Sequence, residues 1–384
     1  MDYFLLEELL TDEERQIRDV VREFVEKEVN PRVGGLWERG EFPAEWPRRL
    51  GELGLLGPTL PPEYGGAGLS SIAYGLIMQE LEAGDSGLRS FASVQGALVM
   101  YPIYTFGTEE QRRRWLPQLA SGEKIGCFGL TEPGAGSDPA SMQTRCRPVD
   151  GGWVINGLKS WITNGSAADV AVVWARDPEG QVRGFLIEKG TPGFSAQDIK
   201  DKASMRVSVT SQLFLDDVRV GEEAVLPGAV GLRAALECLT QARYGIAWGA
   251  VGAARSCFEE ALEYAKGRIA FGRPIAARQI IQERLANMAT QITLAQLLAY
   301  RLGQLKDAGK MRYTHVSMAK RNNVRQALLI AREARAILGA NGITLGYRSI
   351  RHALNLESVD TYEGTYDVHT LILGRDLTGF EAFS

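Results

Sequence analysis

Gly151-Gly152-Trp153-Val154-Ile155-Asn156-Gly157 is a short β-type run with turn residues at both ends, and its reading decides how the chain divides. Apolar and aromatic residues bounded by Gly-Gly and Asn-Gly mark a hairpin strand. Three more such runs follow, Ala171 to Trp174, Gly184 to Glu188 and Gln212 to Leu215, punctuated by Asp-Pro, Gly and Pro. Residues 126–222 therefore read as a small antiparallel sheet or barrel.

On both sides of this block the apolar period is helical. Thr11-Asp12-Glu13-Glu14 is a capping box, Thr11 at N-cap and Glu14 three residues on. Ile17, Val20, Val21, Phe24 and Val25 then recur at helical spacing, and Asn30-Pro31 is expected to stop that helix. Trp46 to Leu55 is a shorter helical pattern, and the Pro/Gly-rich run from Gly57 to Gly68 is a loop. The period resumes from Ser70 to Leu81 and from Gln95 to Leu119, with a break at Gly107.

After Pro227 the chain is expected to be helical again. Arg243 to Arg255 is dense in Gly and Ala, which suits close approach of helix backbones or of a flat ligand. Ile281, Leu285, Met288 and Ile292 form an apolar stripe that reads as core. A further helix from about Val316 to Leu338 ends at Gly339-Ala340-Asn341-Gly342, where glycine can take the left-handed cap. The expected organisation is mainly α within the α+β class: helices over 1–125, the β block over 126–222, and a four-helix bundle over 223–384.

Composition removes several function classes. The chain has 384 residues, 45% of them apolar, enough for a sizeable core. Its net charge of −4 and pI near 5.7 give no basic field for nucleic acid. Cys127, Cys146, Cys238 and Cys257 show no metal spacing and make no disulfide framework, which points to a reducing compartment. With three histidines and no HExxH, neither a metal site nor a Ser-His-Asp triad is expected. The N-terminus has no signal-like pattern and no 18-residue apolar run occurs, so the expectation is a cytoplasmic protein without a membrane span.

No GxGxxG or GxxxxGK[ST] phosphate loop is present. Four other strings can carry chemistry. Asp360-Thr361-Tyr362-Glu363-Gly364-Thr365 sets one carboxylate in a short polar break between helical patterns, either a general base or a simple Glu-Gly turn. Leu130 to Asp138 (LTEPGAGSD) offers hydroxyls and backbone N–H groups to phosphate or a heteroaromatic edge, and is equally a plain loop. In Lys159 to Gly165 (KSWITNG), Trp161 can stack on a planar ring while Thr163 donates to it, or the tryptophan can be core. Arg268 to Pro274 (RIAFGRP) with Gln279 joins a cation, an aromatic ring and an amide, suited to a pyrophosphate or to an interhelical turn.

Read together with LGANG (338–342), these strings resemble the acyl-CoA dehydrogenase family in order and separation, over nearly the whole chain. SGLRS (86–90), SVQ (93–95), GCFG (126–129), ARYGIAWG (242–249), KRNN (320–323) and IRHALNLE (350–357) are similar to that family's glutaryl-CoA branch.

The resemblance implies an FAD enzyme with a helix–sheet–helix fold. By it, Phe128, Leu130, Thr131, Gly136 and Ser137 would wrap the flavin, with Thr131 on its pyrimidine side. Trp161, Ile162 and Thr163 would cover the ring, with Thr163 near N5. Arg268, Phe271 and Gln279 would hold the diphosphate and adenosine, partly across a subunit boundary. Gly339, Ala340 and Thr365 would complete that site, and Ala336 stands where the family often has Gln. Glu363 would take the α-proton as a β-hydride passes to the flavin, with its own backbone N–H polarising the thioester. Arg89 would hold the distal carboxylate of a glutaryl group. Ser90, Ser137, Arg243, Tyr362 and Gly364 would lie at the substrate. The implied partners are glutaryl-CoA, an electron-transferring flavoprotein and further copies of the chain in a homotetramer. A non-decarboxylating short- or branched-chain dehydrogenase, and a non-catalytic flavoprotein of the same fold, are the alternatives.

Overall fold

Helix α1 (Asp12–Phe24) opens on the expected cap: Thr11 Oγ1 accepts from the Glu14 N–H at 3.2 Å, and Glu14 Oε2 accepts from the Thr11 N–H at 2.9 Å. The structure is a computed structural model that describes residues 2–383. Asn30-Pro31 does not stop the first helix. A π-helical stretch, Val25–Val29, leads directly into α2 (Asn30–Arg39). The wider turn pairs the Asn30 N–H with the Val25 carbonyl, five residues back, and gives the Pro31 ring room it lacks in an α-turn.

Next come α3 (Trp46–Glu52), α4 (Ser71–Gly84) and α5 (Ser86–Ser93). A second π-helical stretch, Val94–Met100, again precedes a proline, Pro102 near the start of α6 (Tyr101–Phe106). Gly107 breaks the chain before α7 (Glu109–Ala120).

The middle block holds β1 (Gly126–Gly129), β2 (Arg145–Val149), β3 (Gly152–Thr163), β4 (Val170–Arg176), β5 (Val182–Glu188), β6 (Phe194–Asp198), β7 (Thr210–Gly221) and β8 (Val225–Val230). Their order is β6-β7-β3-β2-β4-β5-β8, with β1 beside β4. The sheet is not purely antiparallel, because β1 runs parallel to β4 from Gly126↔Val170 to Gly129↔Val173. Nor does it end at residue 222. β8 contains Pro227, tolerated because β8 is last in the strand order.

Beyond it lie α8 (Leu232–Gly267), the two-residue strands β9 (Ile269–Ala270) and β10 (Arg273–Pro274), α9 (Gln279–Asp307), α10 (Tyr313–Ile337), α11 (Ser349–Thr361) and α12 (Tyr366–Thr378). Helices α8, α9, α10 and α12 form the C-terminal bundle. The small residues of α8 do what their density suggests: a Cβ on Gly252 would lie 1.8 Å from the Gln79 carbonyl of α4. That contact lets α4, buried on every side, sink between the N-terminal helices and the bundle.

Asn355 on α11 ties the three blocks together. Its Oδ1 accepts from Trp37 Nε1 at 3.2 Å and from the Met205 N–H at 2.8 Å, and its Nδ2 donates to Asp85 Oδ2 at 3.0 Å. Arg351 Nη1 reaches the same Asp85 oxygen at 2.6 Å, with both side chains buried. This node fixes α11, and with it the loop that follows. Among the described residues no helix is long and apolar enough to cross a membrane.

Candidate active site

The Tyr362 N–H closes α11 on the Ser358 carbonyl at 2.9 Å. Thr365 opens α12 as N-cap, its Oγ1 accepting from the Val368 N–H at 3.1 Å. Between them Glu363 adopts φ +54° and Gly364 φ +96°. A left-handed glutamate is costly unless its surroundings hold it. Here all three carbonyls are engaged: Lys320 Nζ donates to those of Tyr362 (2.7 Å) and Gly364 (2.5 Å), and Arg243 Nε to that of Glu363 (2.6 Å). His369 packs beneath Gly364, where a Cβ would come within 2.9 Å of its Nε2, and its Nδ1 meets Ser317 Oγ at 3.1 Å. Burial, aided by the charges of Lys320 and Arg243, pushes His369 down to about 2, so it stays neutral.

Glu363 is half-buried, and its Oε2 is shut off from water without a hydrogen-bond partner. Burial raises its carboxyl above the ordinary range, against the opposing pull of Arg89, Lys320 and Arg243. A carboxylate in that state is a stronger base than a solvated one and has a free oxygen to accept a proton.

Arg89 is fully buried within α5, not on the surface as a lone arginine usually is. Its Nε donates to Glu82 Oε2 at 2.6 Å, its Nη2 donates to the Tyr362 hydroxyl, and its guanidinium lies 5.7 Å from the Tyr362 ring centre. Burial works against the charge, but Glu82, Tyr362 and Glu363 together hold the Arg89 pKa above its usual value. These bonds leave Nη1 over. Tyr74 Oη, which feels the Arg89 charge, Ser93 Oγ one turn on along α5 and the second oxygen of Glu82 are buried with no partner. Burial pushes the Tyr74 hydroxyl up to about 12, against the charge of Arg89 beside it. Ser90, next along the helix, is buried too. Several unsatisfied polar groups beside one guanidinium mark a place for a polar ligand.

The glycine-rich loop and the end of β3 form a second group. The Ser160 N–H bonds the Thr131 carbonyl at 2.9 Å, while Lys159 Nζ reaches the Leu130 carbonyl at 3.1 Å and Glu132 Oε1 at 2.9 Å. The loop is thus pinned beside β3, with Phe128 and Leu130 buried and Gly136 and Ser137 exposed. A register shift between Lys159 and Ile162 turns Trp161 outward at φ +63°, with 61% of its surface exposed, so it is no core tryptophan. Ile162 is buried and Thr163 half-buried, paired with Thr210.

A third group lies at the end of the bundle. Arg268, Tyr264, Ile275, Leu338, Gly339 and Ala340 line a cavity of about 260 Å³. Phe271, at the tip of the β9–β10 turn, is 97% exposed, and Gln279 at the start of α9 is exposed as well. Within the described residues no hydrogen bond joins one of these three groups to another.

His369, Glu82 and Tyr74 were given no role by sequence, and Lys320 entered only as part of KRNN (320–323). Lys320 carried a usable signal: it sits with Val316, Ala319, Asn323, Val324 and Ala327 on the buried face of α10, where a lysine is out of place.

Three family profiles match in order: acyl-CoA dehydrogenase N-terminal domain over residues 11–123, middle domain over 127–218 and C-terminal domain over 229–378. The human mitochondrial short-chain specific acyl-CoA dehydrogenase is 37% identical, over 96% of this chain and 90% of its own. The crystal structure of a glutaryl-CoA dehydrogenase from Mycobacterium smegmatis is 55% identical, with TM-score 0.97 over 98% of this chain and 97% of that one. A second glutaryl-CoA dehydrogenase structure from the same organism, in complex with FADH2, is 51% identical, with TM-score 0.98 over 99% and 98%.

Proposed function

We infer the reaction from one premise: the chain belongs to the acyl-CoA dehydrogenase family, and it is an acyl-CoA dehydrogenase. The substrate we propose is glutaryl-CoA, oxidised and decarboxylated to crotonyl-CoA and CO2. The observation that carries this choice is the buried Arg89, with Nη1 spare and the unpartnered hydroxyls of Tyr74 and Ser93 beside it. A fatty acyl tail offers nothing to those donors and would leave them unsatisfied. A distal carboxylate accepts from all of them and matches the guanidinium in charge and shape.

FAD is the cofactor, and the residues present fit it. Trp161 and Phe271 set large apolar faces in the open, and the cavity beside Arg268 joins a guanidinium to the backbone of Gly339 and Ala340, as a diphosphate requires. When bound, FAD supplies the acceptor for a hydride from the substrate β-carbon. Thr131, Trp161 and Thr163 would hold its ring system, and Arg268, Gly339 and Ala340 its diphosphate side, with Phe271 and Gln279 serving a neighbouring subunit in a homotetramer.

The protein's own groups carry the proton chemistry. Glu363 removes the substrate α-proton as the α C–H bond breaks, and its carboxyl is then neutral in a water-poor site. The Glu363 N–H polarises the thioester oxygen as charge builds there. After oxidation the bond to the distal carboxylate breaks, CO2 leaves, and its electron pair stays on the γ-carbon. Glu363 returns its proton to that carbon, giving crotonyl-CoA. The two electrons removed pass to an electron-transferring flavoprotein. The four free, buried cysteines support a reducing, cytoplasmic setting.

A second reading, oxidation of a short neutral acyl-CoA without CO2 release, draws on the human short-chain relative and on Glu82 already compensating Arg89. FAD-loaded protein incubated with glutaryl-CoA or butyryl-CoA and a dye acceptor separates the two. Crotonyl-CoA with equimolar CO2, and a clear preference for glutaryl-CoA, is the expected outcome. Dye reduction by butyryl-CoA alone would overturn the choice of substrate.

A further inference from the structure

Lys320 is 1% exposed and has no part in the reaction outlined above. Burying an ammonium is costly unless hydrogen bonds and opposite charge compensate it. What compensates Lys320 is the carbonyls on either side of Glu363, at 2.7 and 2.5 Å, and the charges of Glu363 and Asp360, against a burial that still lowers the amine to about 7. The amine also lies 5.9 Å from the Tyr362 ring centre. One turn earlier on α10, Ser317 holds the imidazole of His369, which floors Gly364. One face of α10 thus supports the loop from Tyr362 to Gly364.

Two links in this geometry bear on function. Glu363 has φ +54°, a conformation non-glycine residues keep only when the surroundings impose it. A single ammonium bonded to the carbonyls before and after that residue resists rotation on both sides. The charges acting on Glu363 come from α5 (Arg89, paired with Glu82 of α4), α8 (Arg243) and α10 (Lys320), and Asp360 near the end of α11 acts in turn on Lys320. The uncharged titratable groups are Tyr74, Tyr362 and His369. Arg89 bonds Glu82 through Nε and the Tyr362 hydroxyl, not the loop backbone, through Nη2, and Arg243 bonds the Glu363 carbonyl through Nε. Among the described residues, Lys320 is the side chain that donates hydrogen bonds to two of the loop's carbonyls.

We propose that Lys320 is the positioning residue for the base: it bridges the carbonyls flanking Glu363, fixes the left-handed turn that aims the carboxylate, and supplies a compensating charge beside it. This rests on the reading of Glu363 as base.

The test uses FAD-loaded enzyme with glutaryl-CoA and butyryl-CoA, over a pH range, for the natural chain and for Lys320→Met, Lys320→Gln and Lys320→Arg. Removing the charge should move the acid limb of kcat upward by about 1 pH unit. It should lower kcat roughly 10- to 100-fold, with a much smaller change in KM, the pattern of lost alignment rather than lost binding. Lys320→Arg, which keeps donors and charge, should restore the acid limb. If the natural chain oxidises neither thioester, the reading of Glu363 as base falls with the activity. If it does and all four acid limbs coincide, the Lys320 proposal alone is overturned. Failure of both neutral variants to fold with flavin would also overturn it, making Lys320 a residue of the fold rather than of the base.

Discussion

Arg89 and Glu82 form an ion pair at 2.6 Å with side chains only 1% and 0% exposed, so this pairing and the substrate role proposed for Arg89 can be separated by a double-mutant cycle. Arg89→Met keeps an unbranched apolar stem but strands the Glu82 carboxylate in the core. Removing one partner of a buried pair typically costs about 3–5 kcal/mol, which denaturant titration of the holoenzyme would register as lost unfolding free energy. Glu82→Leu in the same chain removes the stranded charge, and the double variant should regain most of that loss. Substrate choice should behave differently. A charge-assisted hydrogen bond to the distal carboxylate is worth about 1.5–3 kcal/mol, so either Arg89 variant should lose roughly 10- to 100-fold in kcat/KM for glutaryl-CoA relative to butyryl-CoA. The double variant should therefore be stable and unselective. A double variant that recovers its preference for glutaryl-CoA along with its stability would show that Arg89 acts only by satisfying Glu82 and does not hold the substrate.

Glu363→Gln should reduce turnover at least about 100-fold, the lower end expected for loss of a positioned base, while flavin absorbance shows FAD retained. Equal activity would reassign the base. Because burial raises the Glu363 carboxyl and only its ionised form accepts a proton, kcat should rise with pH through a midpoint above the ordinary glutamate range; a midpoint within that range would contradict the burial argument. Gly364→Ala meets both φ +96° and a Cβ contact of 2.9 Å with His369 Nε2, so a stability loss of about 1–3 kcal/mol with a fall in kcat is expected. An unchanged variant would show that the loop relaxes freely. Arg268→Ala should weaken FAD retention on ultrafiltration about 10- to 100-fold, the equivalent of one charge-assisted bond, without altering substrate preference per bound flavin. Unchanged retention would place the diphosphate elsewhere.

The three-block organisation was legible because each element type repeats its own period: helical at Ile17, Val21 and Phe24, β-type at Trp153 to Ile155. What escaped has local physical reasons. Pro31 reads as a stop, and only a π-turn, invisible to an apolar pattern, carries the helix past it. Gly126–Gly129 is four residues long with a glycine at each end, so it gives no strand signal, yet it pairs parallel with β4. Pro227 argues against a strand unless the strand is terminal in the sheet, a fact of topology and not of sequence. At the site, Glu363 and Gly364 are readable from their place between two helices. Glu82 is not, because its pairing with Arg89 arises only when α4 and α5 pack, and Lys320 shows only as a misplaced lysine, since its partners lie 42 and 44 residues on and meet it only when α10 packs against the loop.

The π-stretch from Val94 to Met100 sits between Arg89 and a fixed point. Gln95, inside it, donates to the Leu119 and Lys124 carbonyls at 3.0 and 2.7 Å and accepts from the Gly126 N–H at 2.9 Å, which stitches that turn to the start of β1. A π-turn holds an additional residue in a winding that otherwise advances by about 100° per residue. It therefore sets the azimuth of everything before it. Deleting one residue between Val94 and Met100 would restore ordinary winding and swing α5 around its axis by about that angle. Arg89 would then point away from Tyr362, with its own chemistry unchanged. If Arg89 selects the substrate as proposed, selectivity is thus also a matter of phase, held by a turn that does not contain Arg89.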